Sequence, residues 1–395
     1  MSVLLLSTAL ITSVEPTLTY QLKQVVGRSD VIAVNVETKQ LGTFHALQAR
    51  TLVNDAQPAL LCVTVNGSQS AIEYQTPIQC DYVTWQLSLA EIGQDGFDIA
   101  KQVDSYEPQK GWRFISEFNS LPRFSTRNND SIPAQVCAPD SQCGALPDVD
   151  QPPLFVVWGL KSVELDFNGK VIKISTDTDQ ILQTMGDWKS TLESQLIYLT
   201  NLFPDSAVNQ WEFVFFSRDK QAGSVSGAAG SNKILINAIL NKGQLEDDEL
   251  PMLLKIAAHE SMHLLNTTSP LWATESIAEY YANKSLENTP YDFADPQTQW
   301  RDFKQSFPFA STGLLEANDR VSNKQQYQYY PLFYVKGPAF WQELEQSLTD
   351  KEDNLDTLLW TLTYNKNGSL SEASIADLIK AIGKKKWDEL ANLYL

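Results

Sequence analysis

Two of the three histidines in this 395-residue chain fall in one short stretch, "AAHESMHLLN", residues 257–266, as His259 and His263 with Glu260 between them. Helical residues four apart lie one turn apart on a single face. Two imidazoles at that spacing can chelate one tetrahedral metal ion, and a carboxylate directly after the first can reach a metal-bound water from beside it. Zinc lowers the pKa of such a water toward about 7, so the carboxylate can take its proton as the oxygen attacks a carbonyl. The same five-residue pattern also arises on ordinary helices that bind nothing. A catalytic site needs a third protein ligand. The remaining histidine, His45, is far away in a region of strand-like pattern, and Thr267 and Ser269 occupy the region where a longer three-histidine pattern would have its glycine and histidine. The candidates are carboxylates downstream, and "SPLWATESIAEYY" supplies Glu275 and Glu279, one turn apart on a helix that Ser269 and Pro270 would open as N-cap and first residue. Glu275 as ligand, with Glu279 hydrogen-bonded behind a ligating histidine, is the economical arrangement. The alternative is that both are solvated face charges.

Three stretches in order, "HESMHLLN", "LWATESIAEYY" and "YVKGPAFWQEL", resemble successive landmarks of the gluzincin zinc metallopeptidases. They are most similar to the glycyl aminopeptidase family, with its HExxHxxN, WxxEGxxxYY and Y-x-KG segments. They are more distantly similar to leukotriene A4 hydrolase type aminopeptidases. The similarity covers roughly residues 210–345. It implies one Zn2+ per chain held by His259, His263 and Glu275, with Glu279 behind a ligand, Glu260 as general base and Tyr334 as the phenol that steadies the oxyanion. Without the resemblance Tyr334 reads as a core aromatic, and Tyr329 and Tyr330 compete for the role. The implied reaction is hydrolysis of a peptide or protein substrate. Three departures stand out. Ser276 replaces the glycine after the ligand glutamate, and the stretch between His263 and Glu275 is shorter than in those families. In the glycine-rich approach, Gly227, Ala228, Ala229 and Gly230 lie where an edge strand would grip substrate, but Ala229 stands where a glutamate would hold the substrate's amine. The rival readings are a non-catalytic descendant that binds peptide or protein, and an aminopeptidase with a relocated amine anchor.

The elements that must position these groups follow from periodicity. "VIAVNVET", "ALLCVTVNG" and "DYVTWQLSL" alternate apolar and polar residues and predict strands over residues 15–120. Residues 119–153, rich in Pro, Asn, Asp and Ser, read as a linker or long loop. Strands are then expected at "PLFVVWGL", "KSVELDFNG", "VIKIST", "QWEFVFFSR" and "KILINAIL", a helix at "TDQILQTMGDWKSTLESQLIYLTNLF", and almost continuous helix from residue 246. With the resemblance this gives an α+β chain: an N-terminal β-sandwich with its linker (1–150), a thermolysin-like catalytic domain (151–310) and a C-terminal helical region (311–395).

Composition bounds the partners. Lysine and arginine number 30 against 48 acids, a net charge of −18. That excludes the clustered cations that nucleic acid or an anionic membrane would need. Hydrophobic residues make up 43%, with 10 Trp, 14 Tyr and 17 Phe, enough for sizeable cores. The four cysteines group as Cys62 with Cys80 and Cys137 with Cys143, in no CxxC spacing. Two disulfides in an oxidising compartment are expected, and spacing alone leaves their pairing open. The apolar stretch Val3–Ile11 reads as a weak signal segment, a trimmed remnant of one, or a first strand. No stretch reaches the 18 or so apolar residues of a membrane span. An exported protein, periplasmic or secreted, is the favoured reading.

Overall fold

A computed structural model describes residues 17–50, 57–126, 130–139, 143–167, 170–204, 206, 208, 210–223, 225–231, 233–266, 270–351 and 353–395. Val3–Ile11 and Ser269 lie outside the described residues. The chain forms two compact units. The first comprises residues up to Ile92 together with Gln102–Leu160. The second comprises Gly93–Lys101 and Lys161–Leu395.

The N-terminal unit is built of sheets. Seven strands run in the order Cys143–Leu146, Ala134–Cys137, Leu18–Val25, Arg28–Glu37, Tyr82–Ser88, Leu61–Val63 and Gln69–Ala71. A four-stranded sheet (Phe155–Trp158, Arg113–Ser116, Ser105–Tyr106, Ala90–Glu91) and a two-stranded ribbon (Arg123–Ser125 with His45–Leu47) complete the unit. Alternation in Leu18–Val25 turns Leu18, Tyr20 and Leu22 into one core with Val34, Val36, Trp85 and Phe124. The Tyr20 hydroxyl donates to the Pro122 carbonyl at 2.7 Å. Disulfides join Cys62 to Cys80 and Cys137 to Cys143.

The linker reading of residues 119–153 is overturned. Three strands lie within that stretch, and Ala134–Cys137 pairs in parallel with Leu18–Val25. Its prolines sit at strand ends: the Pro133 carbonyl accepts the Leu18 amide and the Pro147 carbonyl accepts Arg123. Turn-rich composition marks where strands stop, and it carries no information about a partner far away in sequence.

The second unit carries a five-strand path in the order Lys161–Phe167, Lys170–Thr176, Gln210–Asp219, Ile234–Asn241 and Gly227–Ala229. The two central pairings are parallel, and Met185–Leu202 is the crossover helix between Lys170–Thr176 and Gln210–Asp219. Gly227–Ala229 returns antiparallel at the end of the path, and no strand lies on its outer side among the described residues. Helices follow. The first site helix, Leu250–Leu265, places Leu250, Leu253, Leu254 and Ala257 against the sheet and Ala258 and Met262 against a second, helical core. Burial on two sides leaves it only a narrow polar seam. Asp247, Asp248 and Glu249 precede it, where acids complement the helix dipole.

The second site helix, Leu271–Lys284, and the third, Pro331–Thr349, share that helical core. Trp272 stacks on Trp341 at 5.9 Å, and Leu378, Ile382, Trp387, Leu390 and Tyr394 from the two final helices join them. Pro270, expected from sequence as the first helical residue, is instead the N-cap of the second site helix, which starts one position later, at Leu271. Asn318 Oδ1 accepts the Trp272 amide at 3.1 Å and so supplies a cap from another helix. In the third site helix, Pro338 has no N–H for the Tyr334 carbonyl, so the helical ladder is broken one turn after that tyrosine.

Candidate metal and active site

Helical spacing brings the Nε2 atoms of His259 and His263 to 3.1 Å from each other. Glu275 Oε2, from the second site helix, lies 3.3 Å from the first and 3.7 Å from the second. These three form a cluster that could hold a metal ion. A tetrahedral zinc with arms of about 2.0–2.1 Å sets its donors roughly 3.3 Å apart, which matches this triangle. The donor chemistry fits as well. His259 Nδ1 lies 3.1 Å from Glu279 Oε2, so that nitrogen carries the proton and Nε2 presents a lone pair inward. Two lone pairs and a carboxylate oxygen converging in a buried pocket attract a cation.

The electrostatics agree. Burial would lower the His259 ring, but hydrogen bonds to Glu275 and Glu279 and their charges outweigh it. The ring is thereby raised to about 10. Burial and the neighbouring His259 charge push His263 down to about 4. Burial would raise Glu275, but its imidazole neighbours and the Tyr334 hydroxyl hold it at about 2. Glu279 is also held below the usual carboxylate range, despite burial, by His259 and by Lys255. The Lys255 Nζ sits 2.5 Å from Glu279 Oε1 and 4.8 Å from the Phe293 ring centroid. The sequence reading missed Lys255. It lies one helical turn before His259 on the same face, a spacing that gains meaning only with Glu279 beside it.

Glu260 points from the first site helix toward the edge strand. Its carboxylate faces the Ala229 backbone, and burial with the nearby Glu275 and Glu279 charges pushes it up to about 7 against the lowering charge of His259. A Cβ at Gly227 would lie 2.5 Å from Glu260 Oε1 and 2.6 Å from Ile256 Cγ2, so only glycine lets strand and helix approach this closely. Gly227, Ala228 and Ala229 form the half-buried edge strand, and the Gly230 amide closes its turn onto the Lys233 carbonyl at 2.8 Å.

Two phenols grip Glu275. Tyr334 donates to Oε2 at 2.8 Å and its ring stacks on His259 at 5.6 Å, while Tyr330 donates to Oε1 at 3.1 Å. Tyr329 instead packs in the helical core against Phe309. Tyr330, which the sequence offered only as a competitor of Tyr334, therefore belongs to the same cluster.

Ser276 has a structural reason. Its Oγ accepts the Trp341 indole N–H at 2.8 Å, and it faces Gly337, where an added Cβ would overlap the serine Cβ. The absence of a side chain at Gly337 on the third site helix makes room for the serine on the second.

No family model and no curated protein sequence matches the chain. Solved structures do. An aminopeptidase N family protein from Idiomarina loihiensis superposes with a TM-score of 0.59 at 12% identity, over 95% of this chain and 70% of that one. A Glu-to-Ala variant of an M1 zinc metallopeptidase from Deinococcus radiodurans, bound to a Tyr-Ser-Ala substrate, superposes with a TM-score of 0.52 at 12% identity, over 96% of this chain and 94% of that one. The chain therefore has the mixed α+β fold of M1 metallopeptidases, with a buried His259–His263–Glu275 cluster suited to a metal.

Proposed function

We propose that the protein is a zinc-dependent peptidase of the gluzincin type, nearest in its motifs to the glycyl aminopeptidases. The observation that carries this reading is the convergence of His259 Nε2, His263 Nε2 and Glu275 Oε2 at tetrahedral spacing. A zinc ion held there supplies Lewis acidity, polarising a carbonyl and making water more acidic. Glu260 takes a proton from the attacking water and later delivers it to the leaving amine. A carboxyl raised to about 7 is matched to both tasks near neutral pH. Tyr334, whose hydroxyl already reaches the inward oxygen of Glu275, turns to the developing oxyanion, and Tyr330 keeps Glu275 in place. Glu279 and Lys255 hold the His259 tautomer. An extended substrate lies along Gly227–Ala229.

Two disulfides favour an exported protein, and none of the described helices is long and apolar enough to cross a membrane. Ala229, which carries no carboxylate to hold a free amine, favours cleavage within chains, or an amine anchor elsewhere, over standard aminopeptidase binding.

The test has three parts. Elemental analysis should find about one zinc per chain, and none after reconstitution would sink the site. A broad peptide library should be cut, at positions that separate internal from amino-terminal cleavage. Glu260→Gln should retain zinc and lose about 10²–10⁴-fold in hydrolysis. A zinc-loaded chain that leaves the library intact is a peptide-binding protein on the same scaffold.

A further inference from the structure

Strand Ile234–Asn241 reads "ILINAILN", and in the middle of its apolar run one polar residue, Asn237, is fully buried. Burying an amide costs about 1–3 kcal/mol unless it is fully hydrogen bonded. Asn237 is fully bonded. Its Oδ1 accepts the Ser226 hydroxyl at 3.0 Å and the Ile99 amide at 3.3 Å. Its Nδ2 donates to the Phe97 carbonyl at 2.7 Å and the Phe216 carbonyl at 3.3 Å. Its own backbone amide donates to the Ser226 carbonyl at 2.9 Å. Ser226 is thus held twice by one residue, and it is the residue immediately before the edge strand.

Two of the other partners, Phe97 and Ile99, belong to Gly93–Lys101, a segment that precedes the rest of its unit by some distance in sequence yet packs within it. This strap is fastened along its length. The Asp219 amide donates to the Asp95 carbonyl at 3.1 Å, and Gly96 bridges to Arg218. Phe97 meets Phe216 edge to face at 4.7 Å, and Arg218 pairs with Asp98 at 3.0 Å. Gly96 has φ +81°, and a Cβ there would come within 2.9 Å of the Arg218 Cα. Neither backbone angle nor space admits a side chain.

On the far side of Ser226 the edge strand continues to Gly227, whose missing Cβ lets it lie on Glu260, and to Ala229, whose backbone faces the Glu260 carboxylate. The strand is only Gly227–Ala229, paired to Ile234–Ile236 on one side. Three residues of ladder on one side are a weak constraint on a strand's position. We infer that Asn237 and the Gly93–Lys101 strap are positioning elements for substrate: they fix Ser226, and through it the placement of Gly227–Ala229 over Glu260 and the register in which an extended peptide pairs with that strand. Neither touches the metal-donor cluster, so their effect falls on peptides long enough to lie along the strand. The inference rests on the peptidase reading.

The test uses the full-length zinc-loaded chain, with Glu260→Gln as a non-turning-over background. The probe is a fluorophore-labelled hexapeptide cut by the wild type, or the tightest-binding library hexapeptide if none is cut. Asn237→Ser, which removes the amide that makes four buried hydrogen bonds, should weaken hexapeptide binding by about tenfold and Ser226→Ala, which removes one of them, by about fivefold, with zinc content unchanged. In the active background, KM for the hexapeptide should rise while kcat/KM for a short aminoacyl anilide moves less than twofold. Equal losses on both substrates, or unchanged binding in a folded, zinc-loaded Ser226→Ala, would overturn the positioning role. Ser226→Ala removes a hydroxyl next to a loop, so it keeps the question open to experiment even if Asn237→Ser does not fold. Absence of zinc or of any hexapeptide cleavage counts against the peptidase reading. The binding arm still decides whether Asn237 and Ser226 set the strand.

Discussion

The N-terminal unit closes by pairing Leu18–Val25 with Ala134–Cys137, strands separated by most of that unit's sequence, and locks its edges with two disulfides. The second unit places two candidate metal donors with a single helical turn and the third with the next helix. One unit depends on non-local register, the other on local spacing. The contrast shows that perturbing the first should reach its stability without reaching the metal, while single atoms in the second should reach function without unfolding the chain.

The largest effect expected from that contrast is on the local side. His263→Ala should lower bound zinc from about one per chain to a small fraction and reduce hydrolysis by at least about 10³-fold, while far-ultraviolet circular dichroism stays unchanged. Zinc retention by that variant, measured by elemental analysis, would break the comparison. On the non-local side, replacing Cys62 and Cys80 together by serine should cost the N-terminal unit about 2–4 kcal/mol in denaturant unfolding. Zinc content should not change, and a parallel loss of metal would show that the units are not independent in this sense. A smaller effect tests the helix crossing. Gly337→Ala should destabilise the second unit by about 1–3 kcal/mol through overlap with Ser276, and adding Ser276→Gly should recover part of it, as a double-mutant cycle would report.

The smallest effect concerns pH. Asp104 is enclosed by the N-terminal unit, with the Ser120 hydroxyl and the Ser116 amide donating to its carboxylate, and burial pushes it up to about 7. The folded state therefore favours the protonated acid. That contribution is fully present below about pH 4, where the unfolded chain also binds the proton, and is lost as pH rises toward 7. Asp104→Asn, neutral throughout, should flatten the decline of unfolding free energy between pH 4 and 7. An unchanged slope would assign the dependence to other groups.

The same contrast explains what could be read from the sequence. His259, Glu260, His263, Glu275 and Glu279 stand at spacings that a helix converts directly into geometry, and the structure brings all five together. Tyr334 was reached only through resemblance, because a lone tyrosine on an apolar helix looks like core. Its partner Tyr330 could not be separated from Tyr329 without knowing which face turned inward. Lys255 was missed because a buried lysine becomes meaningful only once Glu279 is seen 2.5 Å away. The strands hidden in residues 119–153 and the role of Asn237 share one cause. Each is defined by partners distant in sequence, which local composition does not encode.

The strap Gly93–Lys101 has a practical corollary for anyone dividing this chain. A fragment begun at residue 161 would contain His259, Glu260, His263 and Glu275, yet would leave Asn237 Nδ2 without the Phe97 carbonyl and Asn237 Oδ1 without the Ile99 amide. No single cut separates the two units, because the chain enters the second, leaves it and returns. The strap is also synthesised well before the sheet that receives it, so the emerging chain must keep Phe97 and Ile99 from settling elsewhere until Ile234–Asn241 has formed.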